Sequence, residues 1–202
     1  MEFDNLKVLP LHKYPEYLKE TCDLINDEWP RSETARMMSL RASSDNLPSS
    51  LILINDKKLV LGHCKLTPIP TMPESCFIET VVISKSFRGM KLGTYLMRKV
   101  EEHCKNKLDL SMIHLSTKGQ ESFYEKLGYK ICAPVSIYGT RIPNYRPTEP
   151  SHKETQVPVR SAPSTGAPPP PPPPPMPRNE NLINNNIVKT NKTFMFKYLS
   201  KV

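Results

Sequence analysis

The residues Arg88, Gly89, Met90, Lys91, Leu92, Gly93 and Thr94 combine two cations with two glycines in one short stretch. They follow an apolar run, Phe77 to Ile83, that reads as a strand, and they open an amphipathic run that reads as a helix. A strand, a basic glycine-containing turn and a helix start together make an anion site. The first helical N–H groups have no partner within the helix, and the helix dipole favours negative charge there. These seven residues are therefore candidate ligands of a phosphorylated molecule. A P-loop needs lysine directly after its last glycine, whereas Gly93 is followed by Thr94 and Tyr95. A dinucleotide fingerprint needs three spaced glycines, and only Gly89 and Gly93 are present.

A third pattern fits better. Arg88 and Gly93 occupy the first and last positions of Arg/Gln-x-x-Gly-x-Gly/Ala, the acetyl-coenzyme A turn of the GNAT acetyltransferases, with Lys91 where the family has glycine. Further on, Thr117, Gln120, Phe123, Tyr124, Gly128 and Tyr129 resemble the GNAT segment Asn-x-x-Ala-x-x-Phe/Leu-Tyr-x-x-x-Gly-Phe/Tyr. Thr117 replaces its asparagine and Gln120 its alanine. Both motifs stand in family order, and the chain resembles a GNAT acyltransferase.

That resemblance implies acetyl-coenzyme A as co-substrate and no metal. The pantetheine arm is expected along Val81, Val82 and Ile83, the diphosphate on Arg88 to Thr94, with Thr117, Gln120 and Tyr124 completing the coenzyme site. Tyr124 matches the tyrosine that reaches the thiol as a general acid. Lys91 brings charge without glycine's backbone freedom, so the turn is expected to take helical angles there. Glu79 and His114, on the two strands flanking the site, are the candidate bases. No strong base is needed if the acceptor is a protein N-terminal amine, whose pKa lies at about 7.7–8.0. A lysine amine, near 10.4, needs roughly 3.4 kcal/mol more to be neutral.

Asn26 to Ser44 lies where the GNAT fold walls its acceptor groove. Arg31, Arg36 and Arg41 there suggest an acidic acceptor, because the planar guanidinium binds carboxylates in a bidentate manner. Trp29, Arg36, Arg41, Ser43, Ser44, Thr80, His114 and Tyr138 are the candidate acceptor-binding residues. Pro168 to Pro175 is an uninterrupted proline run. As polyproline II it is a rod of roughly 25 Å of the kind read by profilin, SH3 and WW domains, and its lack of flanking basic specificity suits profilin. Profilin carries actin, whose mature N-terminus is acidic. The combination resembles the GNAT enzymes that acetylate protein N-termini, in particular the branch acting on actin. Two alternatives stay open: a GNAT acting on lysine or a small amine, and a non-catalytic polyproline adaptor.

The elements that must position these residues are legible as periodicity. Strands are expected at Leu6–Leu9, Ser49–Asn55, Lys58–Thr67, Ser75–Ile83, Leu110–Ser116 and Lys130–Tyr138, and a last one within Ile187–Leu199. Helices are expected at Pro15–Glu28, from Ser32 to about Ala42, at Lys91–Asn106 and at Gly119–Leu127. This order resembles the whole GNAT fold: an α/β protein with a mixed, mostly antiparallel seven-stranded sheet, splayed between strands four and five and flanked by helices. The expected organisation is an acetyltransferase core over 1–140, a largely disordered proline-rich loop over 141–186, and a final strand within 187–202. The chain has 202 residues, 22 prolines, 7 glycines and a formal net charge of +8. The dispersed charge lacks an aromatic-rich basic stretch, so acidic ligands are expected rather than nucleic acid. Five cysteines without C-x-x-C spacing fit reduced thiols in the cytosol. No signal peptide or membrane span is expected, and the protein is expected to be a monomer.

Overall fold

The computed structural model describes residues 5–138 and 192–199, all in one compact unit. The strands are β1 (Lys7–Pro10), β2 (Ser49–Ile54), β3 (Val60–Pro68), β4 (Ser75–Ile83), β5 (Met112–Thr117), β6 (Lys130–Ile131) and β7 (Thr193–Tyr198). The helices are α1 (Leu18–Glu28), α2 (Glu33–Arg41), α3 (Leu92–Asn106) and α4 (Glu121–Lys126). Short 3-10 turns at Leu11–Lys13, Pro15–Tyr17 and Lys85–Phe87 join them. The sheet order is β1-β2-β3-β4-β5-β7-β6, and every adjacent pair is antiparallel except β4 with β5. This is the expected fold class and element order.

Alternation along the strands feeds two cores. Leu51, Leu53, Cys64 and Leu66 pack with the buried stripe of α3, made of Leu92, Leu96, Met97, Val100 and Cys104. Ile52 and Ile54, on the opposite face of β2, pack with Leu11, Cys22 and Ile25 beneath α1 and with Leu40 of α2. The sheet is thus covered on one face by α3 and on the other by α1 and α2. Helix α2 is capped by Ser32, whose hydroxyl accepts from the Ala35 N–H.

Strand β4 carries the feature that makes a site possible. Ser75 to Ile78 pair in parallel with Met112 to Leu115, and then the two strands part. Just there the β3–β4 register slips: Leu66 faces Ile78 and Lys65 faces Thr80, so Glu79 is the extra residue of a bulge. The slip inverts the alternation. Cys76 and Ile78 belong to the α3 core before it, and Val81 and Ile83 pack against that same core after it. Gly62 lets β3 follow this course, because a Cβ there would lie 2.6 Å from Ile83 Cδ1 and 3.0 Å from the Val82 carbonyl.

Two expectations require correction. The strand expected over Lys130–Tyr138 is only Lys130–Ile131 long. The ladder closes with Cys132 N–H donating to the Phe194 carbonyl, and Pro134, which has no N–H, cannot extend it. Lys91 does not take helical angles: with φ 60° and ψ 12° it is left-handed, so the lysine adopts the conformation that the family's glycine serves. The expected segment 141–186, including Pro168–Pro175, lies outside the described residues.

Candidate active site

Beyond Ile78, the β4 edge that faced β5 has no strand beside it. The space is a cleft of about 530 Å³. Val81, Val82 and Ile83 form its floor, the turn from Phe87 to Lys91 and the start of α3 form one side, and Gln120, Phe123 and Tyr124 form the other. Glu28 and Trp29, at the end of α1, close it from a further side. Helices α3 and α4 approach each other at Gly93, where a Cβ would come within 3.4 Å of the Phe123 ring.

The basic turn has backbone geometry suited to an anion. Gly89 is left-handed with φ 79°, and Lys91 caps α3 without a side-chain cap. Tyr95 N–H donates back to the Lys91 carbonyl at 3.1 Å, so the N–H groups of Leu92, Gly93 and Thr94 precede the intrahelical ladder. The cations divide into two sets. Lys85 pairs with Asp27 at 3.0 Å, and Arg88 pairs with Glu28 at 2.6 Å while its Nε donates to the Ile83 carbonyl at 3.1 Å. Arg88 therefore braces the end of β4 against α1. Lys91 is exposed at the cleft edge and is the turn's cation available to a ligand. Met90 is exposed on the turn, and neither it nor Thr117, buried at the end of β5, lines the cleft.

Tyr124 lines the cleft between Phe123 and Tyr129, with ring centroids 5.0 and 5.7 Å away. Burial, with the nearby Cys64 as a lesser cause, pushes its phenol above the usual value, so it remains a proton donor at neutral pH. Neither candidate base is poised as one. His114 sits opposite Phe77 in the paired part of β5, is buried, and stacks on Phe196 at 6.1 Å. Burial lowers its pKa. Glu79 stands at the mouth of the split. Burial there pulls its pKa up, but hydrogen bonds from Lys65 and Thr67 and the Lys65 charge outweigh this and lower it overall. His63, opposite Val82 on β3, is fully buried with both ring nitrogens unpartnered, and burial first, then the charges of Lys65 and Arg36, drives its pKa to about 3.

On the acceptor side, Trp29 is 47 % exposed at the cleft rim. Arg36 is committed to the scaffold: its Nε donates to Asn26 Oδ1 at 3.1 Å and its Nη2 to the Trp29 carbonyl at 2.7 Å, clamping α2 to the end of α1. Arg41 is exposed at the end of α2. Ser43 and Ser44 are structural. The buried Ser43 hydroxyl accepts from Ser50 N–H and contacts His12, and Ser44 closes a turn with Asn46. Thr80 is half-buried beside Lys65 on β4. Tyr138, expected on a strand, lies seven residues past β6 and is 86 % exposed.

A splayed parallel pair, a glycine turn leading into a helix, and a tyrosine on the next helix are joined by a match of residues 18–129 to the acetyltransferase (GNAT) family. The chain belongs to the GNAT family of acetyltransferases. It is 37 % identical over 127 residues to mouse (Mus musculus) N-alpha-acetyltransferase 80, a stretch covering 60 % of this chain and 40 % of that protein. The chain thus matches less than half the length of this curated relative. Among solved structures, a spermidine N-acetyltransferase from Vibrio cholerae superposes with TM-score 0.55 at 15 % identity, over 64 % of this chain and 82 % of the other. A GNAT acetyltransferase from Staphylococcus aureus gives 0.52 at 17 %, over 63 % and 84 %. These likenesses concern the fold.

GNAT acetyltransferases use acetyl-coenzyme A, and this chain's residues suit it. The open edge of β4 at Val81–Ile83 can hydrogen-bond an amide-bearing arm, and the helix start with Lys91 suits a diphosphate. Glu28, Phe87 and Phe123 line the cleft and are missing from the sequence-based candidates. Phe123 stands in the second motif and Phe87 directly precedes the basic turn, whereas Glu28 carries no pattern of its own.

Two outcomes follow from this geometry. Tyr124→Phe should lower kcat about 100-fold while leaving coenzyme affinity by calorimetry unchanged, because it removes a proton and not a surface. Lys91→Gly should raise stability in urea unfolding by roughly 0.5–1 kcal/mol, the strain relieved less glycine's extra chain entropy. It should also weaken coenzyme binding at low ionic strength, a deficit that shrinks as salt rises.

Proposed function

We propose that this chain is an N-terminal α-acetyltransferase that transfers acetyl from acetyl-coenzyme A to the acidic N-terminus of mature actin. The observation that carries the choice of an α-amine is the lack of a poised base. Glu79 is held ionised by Lys65 and Thr67, and His114 is buried against Phe196. An amine of pKa about 7.7–8.0 is substantially neutral without help at physiological pH, whereas a lysine amine is not. The relationship to mouse N-alpha-acetyltransferase 80 supports the same choice. Arg31 and Arg41, exposed at the two ends of α2, support an acidic acceptor.

The coenzyme would supply an activated acyl carbon and a thiolate leaving group. The chain's part is positional and electrostatic. Val81–Ile83 would hold the arm extended, the α3 start and Lys91 would hold the phosphates, and Trp29 would shape the passage from the acceptor groove. Tyr124, kept protonated by burial, would donate its proton to the departing sulfur. We further propose that Pro168–Pro175 recruits profilin and with it actin, in a reducing cytosol compatible with the free cysteines.

Recombinant protein should acetylate peptides beginning with runs of Asp or Glu with at least tenfold higher kcat/KM than peptides beginning with Met or Ser. Equal turnover, or preference for polyamines, would reject the reading. Deleting Pro168–Pro175 should weaken profilin binding in a calorimetric titration; undiminished affinity would reduce the run to a spacer.

A further inference from the structure

The bulge that parts β4 from β5 presents one carboxylate, Glu79, and the cross-strand residue beside it presents one ammonium, Lys65. Their atoms lie 2.8 Å apart, with side chains 34 % and 18 % exposed. The pair is incompletely satisfied in a particular way. Lys65 Nζ and Thr67 Oγ1, the latter at 2.7 Å, both donate to the same oxygen, Glu79 Oε2, leaving Oε1 for a ligand. Lys65 spends a second N–H on Ser39 Oγ of α2 at 2.9 Å, and an ammonium has three. One acceptor atom on Glu79, the first residue of β4 beyond its pairing with β5, and one donor hydrogen on Lys65 therefore remain.

We propose that Lys65 and Glu79 form a two-charge template for the first residue of the acceptor: Glu79 receives the α-ammonium and Lys65 the side-chain carboxylate of an N-terminal aspartate or glutamate. The inference rests on the N-terminal acetyltransferase reading and assigns its specificity to particular atoms. An N-terminal aspartate carries its ammonium and its carboxylate on adjacent carbons, within hydrogen-bonding distance of each other, so a protein ion pair of matching separation and opposite order is its complement. Uncharged or basic first residues leave Lys65 without the added partner, and that difference in free energy is discrimination. Arg31, close enough for its charge to be felt at Glu79, makes the local balance positive and favours a second acidic residue behind the first. The arginine clamp at Arg36 fixes α2, and with it Ser39, which orients the Lys65 ammonium.

The test is the ratio of kcat/KM for peptides starting Asp-Asp and Asn-Asp, in wild-type protein and variants, with acetyl-coenzyme A affinity by calorimetry as the check on folding. Lys65→Met should lower the wild-type preference for Asp at least tenfold, and Lys65→Arg should restore most of it. Lys65→Met combined with Glu79→Gln leaves no unpaired charge and should show the same loss of preference. A preference for Asp that survives in both Lys65→Met proteins would overturn the template and leave the functional reading standing. Wild-type protein that acetylates neither peptide would overturn both. Free alanine, an ammonium and a carboxylate without a peptide, is the control for the source of the carboxylate. Turnover of free alanine as fast as the Asp-Asp peptide would overturn the assignment to a side chain.

Discussion

The parting of β4 from β5 after Ile78 and Leu115 is the constraint on which the rest depends. A parallel pair normally continues until one strand ends, because each lost pairing leaves backbone groups needing partners. Here β4 runs on through Ile83, held only by β3, and the bulge at Glu79 keeps it in register with both cores while its other edge opens. That edge is a row of backbone donors and acceptors already spaced for an extended, amide-bearing molecule. The same kink brings Glu79 to the mouth of the opening, so the open edge and the carboxylate beside it arise from one irregularity.

What the split separates, three polar ties hold together. Lys85 with Asp27, Arg88 with Glu28, and Arg36 with Asn26 and the Trp29 carbonyl bind the turn before α3 to the end of α1, and α1 to α2. The two ion pairs are exposed enough that each adds little to stability. Their effect is geometric: the turn before α3 and the corner between α1 and α2 cannot move independently without breaking a charged contact. Trp29 stands where the chains they join converge, which accounts for an aromatic side chain nearly half exposed at that rim.

Periodicity made the architecture legible. Strand β4 stands at its expected limits, and the buried stripe Leu92, Leu96, Val100 was visible as helical spacing, because both reflect burial on one face of a regular element. Failures occurred where a single residue's context overrides its type. Lys91 is left-handed because the turn between Gly89 and α3 requires it, and neither its charge nor its helix propensity reports that demand. Tyr138 was placed on a strand whose ladder a proline ends within a few residues. Arg36 donates to Asn26 and to a backbone carbonyl on the neighbouring helix end, a proximity that exists only once α1 and α2 are packed and that no sequence pattern reports. Lys65 was invisible for the same reason: it becomes interesting through Glu79 and Ser39, distant in sequence in opposite directions.

The distribution of charge explains how a site with so many ions can perform a transfer between neutral groups. The floor of the cleft, Val81 to Ile83, supplies only dipoles, and Tyr124 beside it is kept protonated by burial. His63, opposite Val82 on β3, is buried and neutral. Lys91 stands at the start of α3, and Glu79, with Lys65 beside it, stands where β4 leaves its pairing with β5. Each set suits one ionic end of a ligand, the phosphates on one side and the acceptor's terminus on the other. A cation nearer the centre would favour the thiolate but would also raise the free-energy cost of bringing up a protonated amine, and an anion there would hold that amine protonated. In the proposed template the acceptor's terminus arrives at Glu79 as an ammonium, so its nitrogen must give up a proton to solvent and leave that carboxylate before it meets the acyl carbon. Such a site depends on the amine's own pKa, which makes the chemical identity of the acceptor part of the mechanism.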